Sequence, residues 1–248
     1  MSAAAGRRGF FAKPGGSAEL VLTLPVFLAY QLGVVFLGVR NAADVVTSRL
    51  LALVHGDLLE YMGLTGGIGV TALAFFALIN RGQALRAGKL LQIALEGAAY
   101  AAAMSLGTSW IVGKLFAGQR PRLEGGPLPG LVMSLGAGFY EELAFRVLLF
   151  GLGAKLIVWL FAKPSNVPPG ATPTRSLAAF GWSGLWALAS AAVFSGMHYV
   201  GALGDAFDMR SFVARGLLGL ALTAVYSARG FAAAVWTHAL YDISVLVL

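Results

Sequence analysis

Charged side chains are scarce in this sequence, so three of them crowded into an apolar stretch point to chemistry. The stretch FYEELAFR, residues 139–146, places Glu141, Glu142 and Arg146 among Leu, Ala and Phe. Downstream, FSGMH sets Phe194 four residues before His198, and HALYD sets His238 four residues before Asp242. Carboxylates and imidazoles of this kind can prime a water, stabilise a developing oxyanion or hold a divalent cation. On a helix turning ~100° per residue, Glu142 and Arg146 share a face and can pair, while Glu141 points elsewhere and needs a partner from another helix. Asp242 shares a face with His238 and can fix its tautomer and orientation.

The surroundings make those charges expensive. The chain has 248 residues, 58% hydrophobic and 12% charged, with mean hydropathy +0.78; a soluble domain carries ~25% charged residues. This composition predicts an all-α fold, a polytopic transmembrane helical bundle. Apolar runs at 20–39, 64–80, 90–117, 139–161, 176–197, 211–228 and 230–248 predict about seven spans, within a range of six to eight, taking ~20 residues per span. The first run is long enough to span and lacks a small-residue cleavage site, so it reads as a retained helix rather than a signal peptide. Residues 41–62 have mixed polarity and suit an interfacial helix. Residues 128–138 suit a short helix leading into the fourth span, and KPSNVPPGATPTR, 163–175, is a loop. Gly97, Ala101 and Ser105 allow close helix packing. The chain divides into N-terminal spans and an interfacial segment, 1–89, and a helical core, 90–248, within one membrane domain.

A net charge of +7 suggests no nucleic-acid partner here, because the basic residues sit mostly in connections, where they anchor and orient a membrane protein. Arg7, Arg8, Lys13, Arg81, Arg86, Lys89, Lys163, Arg175 and Arg229 fall on the N-terminal side, against Arg40, Arg49, Lys114, Arg120, Arg122 and Arg210 on the other. That bias predicts a cytoplasmic N-terminus in a plasma (inner) membrane. Cysteine is absent, which excludes disulfides, thiolate metal ligands and a thiol nucleophile.

An ionisable group inside a bilayer costs roughly 2.5–3.5 kcal/mol and needs a partner or a purpose. Glu96 and Lys155 read as packing or interface residues, and Arg215 as lying near an interface. Glu141 opens the fourth span, His198 closes the fifth, and His238 and Asp242 lie in the middle and second half of the seventh. Alternating spans carry all of these toward one side of the membrane, and so toward one site.

The three motifs, in this order, resemble those of the CPBP family of intramembrane proteases, which process CAAX proteins and bacteriocins. EELAFR is similar to its E-E-x-x-x-R motif, FSGMH to F-x-x-x-H and HALYD to H-x-x-x-Asn/Asp. The resemblance covers roughly residues 90–248 and implies a peptide hydrolase. It implies that Glu141 and His198 activate a water, that His238 and Asp242 serve the oxyanion, and that Glu142, Arg146 and Phe194 give structural support. Many family members carry Asn where this chain has Asp242, and an ionised Asp cannot donate a hydrogen bond. Asp242 then acts either protonated or by orienting His238. The resemblance implies a glutamate mechanism without metal; the alternative is a zinc-dependent one, since Glu141, His198, His238 and Asp242 would suit that ion.

The expected substrate is a membrane-anchored protein or peptide. The Ala-, Gly- and Leu-rich composition looks bacterial, and residues 24–47 resemble the myxosortase-like subgroup, which implies processing of C-terminal sorting tails. Two readings compete. One is a non-catalytic immunity or scaffold factor that retains the motifs. The other is a small transporter using the same groups as a proton relay, although no inverted repeat is visible.

Overall fold

The computed structural model describes residues 14–79, 87–116, 126–162, 177–201 and 204–247, and its regular elements are all helices. The connections carrying Arg7, Arg8, Lys13, Arg81, Arg86, Arg120, Arg122, Lys163 and Arg175, and with them the predicted loop 163–175, lie outside the described residues.

Helix α1, Gly16–Leu37, ends where Gly38 turns left-handed at φ 66° and its N–H returns to the Val34 carbonyl, a common helix stop. Helix α2, Val45–Leu53, starts at Asp44, whose carboxylate accepts the Thr47 N–H and satisfies a donor that the first turn would leave unpaired. Helices α3, Leu58–Ile79, and α4, Ala87–Leu115, follow. The predicted interfacial segment 41–62 therefore becomes α2 and the first turn of α3.

Helix α5 runs without a break over Pro127–Phe161. It starts with ordinary α-helix over Pro127–Gly136, widens to π geometry over Ala137–Leu152 and returns to α-helix over Gly153–Phe161. The predicted short helix before the fourth span is its first part. The wide middle part corrects the assumption of ~100° per residue there, because i→i+5 bonding turns the chain less at each step. Helices α6, Leu177–Met197, α7, Met209–Arg229, and α8, Phe231–Leu246, complete the chain.

Among the described residues, five helices are long and apolar enough to cross a membrane: α1, α4, α5, α6 and α7. The other two predicted runs fall on α3 and α8. At 16 residues, α8 is short for a full span.

Helix α8 is nonetheless the centre of the bundle. Its residues Ala232, Ala233, Ala234 and Val235 are fully buried. Glycines on neighbouring helices let it pack closely. A methyl group at Gly97 of α4 would come 2.8 Å from Trp236 Cβ, and one at Gly138 of α5 would come 2.7 Å from Ala239 Cβ. Helix α1 pins the start of α8. The Glu19 carboxylate accepts the Phe231 N–H, placing negative charge at the positive end of the helix dipole, and Trp236 Nε1–H donates to the Leu22 carbonyl at 2.9 Å. Glu96 of α4, expected to be a packing residue, forms an ion pair with Arg229 at the end of α7 at 2.8 Å.

Candidate active site

Glu142 and Arg146 are buried, 0% and 1% exposed, and are paired at 3.0 Å. The wide turn of α5 keeps this i,i+4 contact. The same Glu142 oxygen also lies 2.7 Å from His238 Nδ1 on α8. An ionised carboxylate can only accept, so Nδ1 carries the proton and Nε2 is the ring nitrogen left for chemistry. Asp242 Oδ2 stands 3.5 Å from that Nε2. The close orienting bond expected from Asp242 is therefore made by Glu142, a residue from another helix. In the imidazolium form both ring nitrogens donate, and Nε2–H can serve Asp242 or an oxyanion beside it.

His198 lies just beyond the end of α6. Its Nδ1 is 2.9 Å from the Phe194 carbonyl, four residues earlier. A carbonyl only accepts, so this bond fixes the Nδ1–H tautomer and leaves the Nε2 lone pair facing Glu141 Oε2 at 3.9 Å. That separation exceeds a hydrogen bond and matches the reach of a bridging water. Burial pushes the His198 pKa below its usual value, against the opposing pull of the Glu141 carboxylate, which favours the neutral, proton-accepting ring.

The Phe194 ring joins these groups. It meets the His198 ring edge-on with centroids 5.1 Å apart, the His238 ring at 6.0 Å, and carries the Arg146 guanidinium carbon 4.2 Å from its centre. The FSGMH motif thus supplies both a carbonyl that sets the tautomer and a ring that spaces two imidazoles and a buried cation.

Glu141 finds the partner from elsewhere that its position required. Its Oε1 accepts from Asn41 Nδ2 at 3.0 Å, while Oε2 is buried without a hydrogen-bond partner among the described residues. Glu141, Phe194, His198, His238 and Asp242 all line one cavity of about 370 Å³, within the range of small-molecule and peptide sites. Among the described residues, no group of three or more His, Asp or Glu side chains is close enough together to hold a metal ion.

Among the polar residues of the lining, sequence reasoning did not assign Asn41, Ser211, Arg215 or Tyr241 to the site. Asn41 lies in the segment read as interfacial, where a turn signal before the Asp44 cap was its only mark. Arg215, read as lying near an interface, pairs with Asp205 at 2.6 Å and sits over the Tyr199 ring at 5.3 Å.

The family model described as "Type II CAAX prenyl endopeptidase Rce1-like" matches residues 124–244. Residues 124–244, just under half of the chain, match that family of CAAX-type endopeptidases. The matched segment runs from just before α5 to near the end of α8 and so contains all three motifs. With several apolar helices long enough to span, the chain is a membrane-embedded peptide hydrolase of the CAAX-endopeptidase type. Asn41 and the whole of α1 to α4 lie outside the matched residues. No curated protein and no solved structure is detectably similar to the chain.

Proposed function

We propose that this endopeptidase hydrolyses a peptide bond of a membrane-anchored protein or peptide, using a water activated between Glu141 and His198 without a metal. The observation that carries the reading is the convergence of Glu141, His198, His238 and Asp242, from three separate segments, on one cavity. The water bridges Glu141 Oε2 and His198 Nε2 and gives a proton to Glu141 as its oxygen attacks the carbonyl carbon. The resulting oxyanion takes a hydrogen bond from the Nε2–H of His238 in its imidazolium form, with the ring held by Glu142 and the charge balanced by Asp242. As the C–N bond breaks, the proton passes to the departing amine, and Glu141 returns to its carboxylate form.

The apolar helices around the site support a substrate delivered from the bilayer. The apolar, Ala- and Gly-rich composition supports a bacterial C-terminal sorting tail as the segment removed. The distribution of basic residues supports an inner-membrane location with a cytoplasmic N-terminus. Terminal-peptide mass spectrometry of membrane and secreted proteins, with and without the gene, identifies the substrate. Glu141→Gln is expected to abolish processing, in line with the ~10²–10⁴-fold contribution of a general base, while leaving the amount of protein in the membrane unchanged. Unchanged processing in Glu141→Gln rejects the protease reading in favour of the scaffold role. Activity that a chelator removes and added zinc restores rejects the metal-free mechanism.

A further inference from the structure

Asn41 comes from the connection between α1 and α2, one hundred residues before the carboxylate it touches. Its own position is over-determined. The side-chain Oδ1 accepts the Ala43 N–H at 2.8 Å, which closes an Asx turn. Its backbone N–H donates to the Tyr30 hydroxyl at 3.1 Å. That hydroxyl in turn donates to Asp44 at 2.6 Å, and Asp44 caps α2 through the Thr47 N–H at 2.8 Å. On the other side, α5 leaves room for it: a methyl group at Gly136 would come 2.8 Å from Asn41 Cβ. Asn41 is 6% exposed. With Oδ1 committed to the turn, the amide NH₂ is directed to Glu141.

Glu141 has two oxygens and only one of them can face His198. The Asn41 amide occupies Oε1, which turns Oε2 toward His198 Nε2 at 3.9 Å. The amide also leaves Oε2 without a donor among the described residues that would compete for its lone pairs. A carboxylate free to rotate in a cavity of about 370 Å³ would present the proton-accepting oxygen correctly only part of the time, and misplacement by ~1 Å can cost on the order of 10²-fold in rate.

We infer that Asn41 is a positioning residue for Glu141, so that the segment ahead of the family-matched domain supplies part of the hydrolytic machinery. This inference rests on the reading of Glu141 as the base that accepts the water's proton.

The test exchanges donor and acceptor between the two positions in the full-length protein. Asn41→Asp keeps an oxygen for the Ala43 N–H, and so keeps the turn, but replaces the donor facing Glu141 with a second carboxylate. It is expected to lower the melting temperature in detergent and to lower kcat by about 10–100-fold, with KM within about twofold. The activity probe is a set of synthetic peptides with apolar C-terminal tails, read by mass spectrometry. Glu141→Gln alone leaves the melting temperature near that of the native protein, because its amide oxygen still accepts from Asn41. Combining the two variants restores the contact with its polarity reversed, so the melting temperature recovers while activity stays lost. Additive melting temperatures, with no recovery in the double variant, overturn the inference, as does an Asn41→Asp protein with native kcat. A native protein that cleaves none of the peptides, while the double variant still recovers, removes the protease reading and leaves the Asn41–Glu141 contact standing.

Discussion

Glu142 is a single carboxylate shared by two partners, and its replacement tests the logic of the site most severely. In Glu142→Gln the shape is kept and the charge is lost. One oxygen now meets both the Arg146 guanidinium and the His238 ring, at 3.0 and 2.7 Å. The introduced NH₂ offers no acceptor to either of them. Arg146 is 1% exposed, so its charge would stay buried with no counter-ion. Removing one partner of a buried ion pair costs about 3–5 kcal/mol. That is a large share of a total stability of ~5–15 kcal/mol. Thermal unfolding of the detergent-solubilised protein, followed by size-exclusion chromatography, should show a strong drop in melting temperature or little folded protein. The companion double variant, Glu142→Leu with Arg146→Met, removes both charges and fills a similar volume. Buried pairs replaced by apolar residues commonly keep or gain stability, so it is expected to fold better than Glu142→Gln. It should still be inactive, because His238 loses the carboxylate that holds its ring. A Glu142→Gln protein that melts like the native one would refute the claim that this carboxylate compensates a buried cation. A double variant less stable than the single one would refute the cost attributed to the orphaned charge.

Three further outcomes follow from the packing and from His198. Because burial lowers the His198 pKa, the unfolded chain takes up a proton that the folded chain resists. Stability should therefore fall as pH drops below ~6.5, with the slope levelling off once pH passes the folded-state value; thermal melts across pH should show this component, and His198→Phe should remove it. Gly230 adopts φ 97° and ψ −174°, a region almost confined to glycine, and an added methyl would meet the Glu19 carboxylate. Gly230→Ala should destabilise by about 1–3 kcal/mol, whereas Ala at the open Gly181 position should be tolerated in the same unfolding assay. Gly97→Leu should separate α4 from α8 at Trp236 and cost on the order of 1–3 kcal/mol, which a melting-temperature series from Ala to Leu at that position would reveal as increasing loss.

The sequence carried the bundle because apolar runs near span length and scarce charge have few solutions other than helices in lipid. It also carried the chemical groups, since helical spacing alone pairs Glu142 with Arg146 and ties Phe194 to His198. The shape of α5 was not legible: nothing in the residue types of 137–152 distinguishes a wide helix from an ordinary one. Nor could spacing show that Glu142 serves two partners, because His238 lies 96 residues away and only the packing of α5 on α8 brings them together. Asn41 was hidden for the same reason. A single polar residue in a mixed-polarity segment has no period to mark it, and its importance arises from a turn, a cap and a glycine on three different elements. Arg215 was placed near an interface by hydropathy, and only its pairing with Asp205, whose N–H donates to the His198 carbonyl at 2.9 Å, makes it part of a wall.

Helix α1 holds the hydrolytic bundle at two levels. Near its start, Glu19 grips the beginning of α8; just past its end, the Asn41 turn reaches the carboxylate on α5. It works as a splint between the helix that bears the second imidazole and the helix that bears the acid. The stretch shared with other endopeptidases is therefore a smaller unit than the one that keeps its groups aligned. A swap of catalytic segments between such proteins would transplant the reactive groups and leave their brace behind.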